Sequence, residues 1–143
     1  MTRTTLRQVS VTRPANATQY TAGDAVGAAG TSGAVLQFPP TAPSNSRSGK
    51  VMSARLWKAD TDVVADGFSL DLFQKVPTAV PADHAAPTTD FINIADVGSY
   101  IGTILFNAGG IVLAGGVYYE GEGTLAPTGG LPFVTDGDDG VLY

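Results

Sequence analysis

The chain has 143 residues, 14.6 kDa, no cysteine, one histidine and a formal net charge of −5. Disulfide scaffolds, thiolate zinc sites and cysteine nucleophiles are excluded, and one imidazole cannot build a histidine metal cage within one protomer. The length is that of one domain, able to bury a core without a covalent staple. Leu, Ile, Val and Phe make up about a quarter of the residues, too many for a disordered polar chain. Eighteen glycines, nine prolines and sixteen threonines stand against two glutamates and three lysines. That balance favours strands and turns over helices, so composition alone predicts an all-β domain rich in loops.

Taken in chain order, Leu6–Thr12 alternates as a first strand, with Val9 and Val11 on one face. Pro14–Thr18 is a turn, and Gly27–Gly33 is a loop of small residues. Ala34–Phe38 is a short strand stopped by Pro39-Pro40, and Thr41–Gly49 is a polar loop. Val51–Lys58 is the clearest strand: Met52, Ala54 and Leu56 face one way, Ser53, Arg55 and Trp57 the other. A turn region follows over Asp60–Gly67. Phe68–Gln74 alternates again, with Phe68, Leu70 and Leu72 inward. Pro77, Pro81 and Pro87 then mark a long irregular loop over residues 77–90.

Beyond that loop Asp96 is placed to cap one helical turn, and Tyr100–Phe106 returns to strand. Ala108-Gly-Gly and Ala114-Gly-Gly punctuate hairpins. Tyr118–Glu120 and Leu131–Val134 are further strands, and Asp136–Gly140 is a tight turn. Val141–Tyr143 starts one more strand, which pairs in trans or continues into further residues. The spacing of these elements predicts one β-sandwich or small β-barrel with long loops and at most one short helix. Residues 1–13 form a basic N-terminal arm with the first strand, and residues 14–143 form the β-domain.

Charge is segregated along the chain. Residues 1–58 hold seven of the eight basic residues and one carboxylate, Asp24; residues 59–143 hold Lys75 and twelve of the thirteen carboxylates. A basic leader on an acidic body fits an arm that docks on an acidic surface, and Arg3, Arg7 and Arg13 are its candidate contacts; the alternative is that they are simply solvated. The basic residues are too sparse, and too poor in interleaved aromatics, for a nucleic-acid partner. Residues 1–7 lack the apolar core of a signal peptide, and the longest apolar stretch, Ile111–Val117, is broken by two glycines. A soluble protein made in a cytoplasm, with no membrane partner, is expected.

Motifs for chemistry are scarce. Nucleophilic catalysis needs a nucleophile, a base and an orienting group, and His84, the one imidazole, sits in the proline-rich loop with no Gly-x-Ser-x-Gly elbow anywhere. Carboxylates recur in pairs at Asp60 and Asp62, Glu120 and Glu122, and Asp136 with Asp138 and Asp139. Residues i and i+2 of a strand share a face, so Glu120 and Glu122 can act together, although glycines on both sides of Glu122 suggest an exposed turn. The turn Asp136–Gly140 departs from an EF-hand loop, with glycine at its fifth position; a cation of another type there remains an alternative to a plain Asp-Gly turn. Gly49-Lys50 is followed by valine and lacks the leading glycine of a phosphate loop, and Gly27–Gly33 has the wrong spacing for a dinucleotide fingerprint. Asn16-Ala-Thr18 matches a glycosylation acceptor. No catalytic residue, metal or cofactor is expected, and the chain is not expected to be an enzyme.

Val11-Thr-Arg-Pro-Ala-Asn16 and Tyr20-Thr-Ala-Gly-Asp24-Ala-Val-Gly27 resemble the opening of a family of small tailed-bacteriophage virion proteins, the head decoration or cement proteins. The resemblance continues through Ser48-Gly-Lys-Val-Met-Ser-Ala-Arg-Leu56, Leu70-Asp-Leu-Phe73 and Asp96–Thr103, over roughly the first three quarters of the chain. It implies a virion structural protein on the outer surface of the phage head. Its partner would be the major capsid protein, and a homotrimer would clamp adjacent capsid subunits. Family members often carry further strands after a pair resembling Leu142-Tyr143. Arg3, Arg7 and Arg13 would then pair with shell carboxylates, and Trp57 either anchors an interface or fills the second face of a sandwich. A second expectation, from a different class, is a glycan-binding module displayed on a virion or tail, marked by exposed Trp57, Tyr118 or Tyr119 beside Asp and Asn in a shallow groove. A third is a small hydrolase using Glu120 or an aspartate pair.

Overall fold

A computed structural model describes residues 6–10, 12, 24–25, 35–38, 48–58, 67–78, 95–107, 111–114, 118–134 and 142–143, with backbone only at 111–114 and 118–119. The described residues are all-β, with one short 3₁₀ turn, as composition predicts. In chain order the strands are β1 (Ser48–Val51), β2 (Arg55–Lys58), β3 (Phe68–Phe73), β4 (Tyr100–Phe106), β5 (Ile111–Ala114), β6 (Tyr118–Glu122), β7 (Thr124–Ala126) and β8 (Leu131–Val134). The 3₁₀ turn, Val97–Ser99, precedes β4. Three small sheets result, in the orders β1-β8, β2-β6-β5 and β3-β4-β7. The pairs β1/β8, β2/β6, β5/β6 and β4/β7 are antiparallel.

The chain divides into two compact units: one of Met1–Arg47, Phe73–Tyr100 and Thr135–Tyr143, the other of Ser48–Leu72 and Ile101–Val134. In the second unit, period-two burial builds the core. Gly102, Ile104 and Phe106 are the buried positions of β4, and Leu131 and Phe133 those of β8. Leu72 and Leu125 complete this apolar set. Asp71 accepts a hydrogen bond from the Thr103 hydroxyl, joining β3 to β4 by side chains as well as backbone.

Gly123 alone separates β6 from β7, and there the chain leaves one sheet for another. Its N–H donates to the Ala54 carbonyl at 2.9 Å, and a Cβ at this position would collide with Ile104 Cγ2 and the Phe106 ring. Glycine is needed for the close approach, which is why the acidic, glycine-spaced run is strand and not the exposed turn that its composition suggests.

The expected single strand over Val51–Lys58 is two strands, interrupted at Met52–Ala54. Ala54 and Leu56 are half-buried as alternation requires, but Met52 is 66% exposed, because the chain changes partner between β1 and β2. Leu6–Ser10, expected in a first strand, join none of these sheets; Leu6 is exposed and Val9 half-buried. Of the expected strand at Ala34–Phe38, Val35–Gln37 are outside the sheets and Phe38 makes a single bridge to Leu142.

In the first unit the last two residues pair within the chain. Phe38 N–H donates to Leu142 O at 2.9 Å, and Phe73 and Tyr143 exchange both backbone hydrogen bonds at 2.6 and 3.0 Å. Leu142 and Phe73 are both buried, and the Phe73 ring lies 5.6 Å from that of Tyr100. Leu142 and Tyr143 thus pair with Phe38 and Phe73 of the same chain.

Asp96 occupies the capping position of the 3₁₀ turn, but its carboxylate caps nothing there. It accepts the Thr78 N–H on both oxygens at 3.0 Å and the Thr78 hydroxyl at 2.9 Å, stapling the segment after β3 to the turn before β4. The turn is closed instead by the Asp96 carbonyl, which accepts from the Ser99 and Tyr100 N–H groups and from the Ser99 hydroxyl. Asp96 is 4% exposed while Thr78 is exposed, so removing the carboxylate loses all three hydrogen bonds and opens a buried site, with water left to take the Thr78 donors. Asp96→Ala is expected to lower stability by about 2 kcal/mol, with Thr78→Val recovering little further loss in the Asp96→Ala background. Urea unfolding of the two single variants and the double variant measures this; additive losses would refute the staple.

Candidate functional site

The side chains with most chemical potential among the described residues lie on one face of the β2-β6-β5 sheet. β2 is four residues long, with Leu56 directed to the interior side and Arg55 and Trp57 to the other. The antiparallel register sets Arg55 opposite Glu122 and Trp57 opposite Glu120. Directly opposed residues share a sheet face and hold their Cβ atoms about 5 Å apart, so the four form a compact rectangle. The interior side carries Leu56 opposite Gly121, the buried glycine that leaves room for it.

Trp57 is 46% exposed, and Arg55 and Glu122 are exposed; Glu120, on the central strand, is half-buried. Trp57 thus fills no interior. The Arg55 guanidinium and the Glu122 carboxylate are thus open to water, and the Glu120 carboxylate is partly so. The arrangement offers an aromatic face, two acceptor groups and one fork of donors on one face of the described sheet. Sequence parity places Trp57 opposite to Leu56 correctly. It has no means of finding that Glu120 and Glu122 are the neighbours, because register across strands is not written in local spacing.

Of the arm, Arg7 is exposed, while Arg3 and Arg13 lie outside the described residues. So do His84, Asp60, Asp62, Asn16 and the Asp136–Asp139 turn. Tyr118 and Tyr119 open β6, with their side chains outside the described set. Among the described residues no group of three or more His, Asp or Glu side chains gathers to hold a metal ion, and no helix is long and apolar enough to cross a membrane. No protein-family model, curated protein or solved structure matches the chain.

Proposed function

We propose that this chain is a virion structural protein, a decoration or cement protein bound to the outer surface of a tailed-phage head. The observation that carries the reading is the resemblance of its quoted segments to that family. Ser48–Leu56 supplies β1 and the start of β2, Leu70–Phe73 the end of β3, and Asp96–Thr103 the 3₁₀ turn and the start of β4. These three segments belong to the sheet framework, which is what a protein acting by shape depends on, and Val11–Asn16 and Tyr20–Gly27 lie almost wholly outside the described residues.

In this reading the arm makes the attachment. Arg3, Arg7 and Arg13 form planar, two-pronged hydrogen bonds with carboxylates of the major capsid protein. Each exposed pair contributes only about 0.2–1 kcal/mol, so useful affinity needs several arms engaging at once. A homotrimer on a symmetry axis of the shell supplies three, and the second and third bind at high effective concentration. Because the bound form exists only on the assembled shell, occupancy stabilises that state by mass action.

The test is cosedimentation with bare heads of the phage that encodes the chain. Saturable binding is expected, falling at least tenfold when residues 1–13 are deleted and weakening as salt screens the arm. Failure of the full chain to bind heads would overturn the function. Full occupancy by the deletion variant would overturn the arm's part in it.

A further inference from the structure

We propose that the exposed face of β2 and β6 is a binding site for neutral carbohydrate, with Trp57 as the stacking platform and Arg55, Glu120 and Glu122 as hydroxyl partners. This goes beyond head attachment and does not depend on it. A pyranose ring presents two unlike surfaces, an apolar face of C–H groups and a rim of hydroxyls. The β2/β6 face presents their complements. Trp57 is 46% exposed on a strand whose neighbour contributes carboxylates at positions 120 and 122. A ring lying on the indole buries its C–H face, while adjacent hydroxyls donate to a carboxylate and accept from the guanidinium.

The charges select among occupants. Two carboxylates against one guanidinium repel phosphates, sulfates and acidic sugars, so the ligand is uncharged. An extended peptide would want an apolar groove or a free strand edge. The described side chains on this face are one aromatic and three charged groups, and two of those charges stand on β6, the central strand, with β2 and β5 as the outer strands of the sheet. The β2/β6 ladder fixes the backbone positions of all four residues, so binding has only their side chains to order.

The chain has one tryptophan, so its emission reports this site alone. Titration of the full-length protein with cellotetraose, chitotetraose and maltotetraose, followed by a neutral-glycan array, is expected to give a saturable change in emission. The expected Kd is about 1 mM or tighter for at least one ligand. By calorimetry, Trp57→Ala should abolish the binding of that ligand and Trp57→Phe retain a weaker form of it. Glu120→Gln and Glu122→Gln should each weaken binding at least fivefold, with unfolding midpoints near that of the parent. Galacturonic acid oligomers should bind less tightly than neutral ones. No emission change with any neutral glycan overturns the proposal, as does calorimetric binding that survives Trp57→Ala. An emission change that follows protein concentration without sugar also overturns it, showing that a second copy covers the face. Head binding measured on the same preparations separates a failure here from a failure of the decoration reading.

Discussion

Gly102→Ala is expected to destabilise the protein by about 3–5 kcal/mol, enough to bring a domain of ordinary stability close to unfolding. Gly102 sits inside β4 with φ of 152°, a backbone region that residues with a Cβ rarely adopt. Conformation is only part of the cost. A Cβ built there would lie 2.6 Å from the Ala126 carbonyl oxygen and 2.8 Å from Leu131 Cδ2. The oxygen belongs to β7, which is paired to β4 through Thr103 and Ala126, so it can retreat only by breaking the ladder. Gly98→Ala is the control: nothing lies within 4 Å of its built Cβ, and the loss there should stay within about 0.5 kcal/mol. Urea unfolding midpoints measure both. A Gly102→Ala midpoint equal to that of Gly98→Ala would show that β4 does not pass this close to β7.

The same strand shows what local pattern can and cannot reveal. Tyr100–Phe106 and Leu131–Val134 are legible as strands, because each is a short apolar run ending at turn formers, though which apolar residues face inward is not, since Leu105 and Val134 are exposed. β3 is legible on one face, through Phe68, Leu70 and Leu72; Phe73 is buried as well, since the backbone of Tyr143 and the ring of Tyr100 cover its other side. The break between β1 and β2 is not legible. Alternation runs unbroken from Val51 to Lys58, yet β1 pairs with β8 and β2 with β6, and a change of partner leaves no mark on periodicity. The same holds for the pairing of Leu142 and Tyr143 with Phe38 and Phe73, which joins residues far apart in the chain.

The candidate site divides along the same line. That Trp57 and Arg55 share a face follows from strand parity alone. That this face meets solvent, and that Glu120 and Glu122 stand across from them, follows from register and from the single-residue step at Gly123 between two sheets. A sequence reader sees Gly-Glu-Gly and infers a turn, because isolated glycine-flanked acids are turn composition. Here the glycines face the packed side, where Gly121 meets Leu56 and Gly123 leaves space for Ile104 and Phe106. The glutamates are left on the other side by alternation.

Leu131→Ala is expected to cost about 3–5 kcal/mol, at the upper end for a leucine truncation. Leu131 is the one side chain among the described residues with no exposed surface, and it opens β8 opposite Val51. Its neighbours are poorly placed to collapse into the space. Gly102, against which its Cδ atoms lie, has no side chain to move, and the backbone there is held by the β4/β7 ladder. A cavity that cannot shrink carries the full penalty of lost contacts. Val134→Ala, on the same strand but 57% exposed, should change stability by less than about 0.5 kcal/mol. The two large effects should also be coupled. Truncating Leu131 removes one of the two obstacles to a Cβ at position 102 and leaves the Ala126 oxygen in place. The double variant Gly102→Ala, Leu131→Ala should therefore be less destabilised than the sum of the single variants by about 1 kcal/mol. Unfolding free energies of all four proteins in urea give the interaction directly. Strict additivity would mean that Leu131 packs elsewhere and that the close approach of β8 to β4 is not what excludes a side chain at position 102.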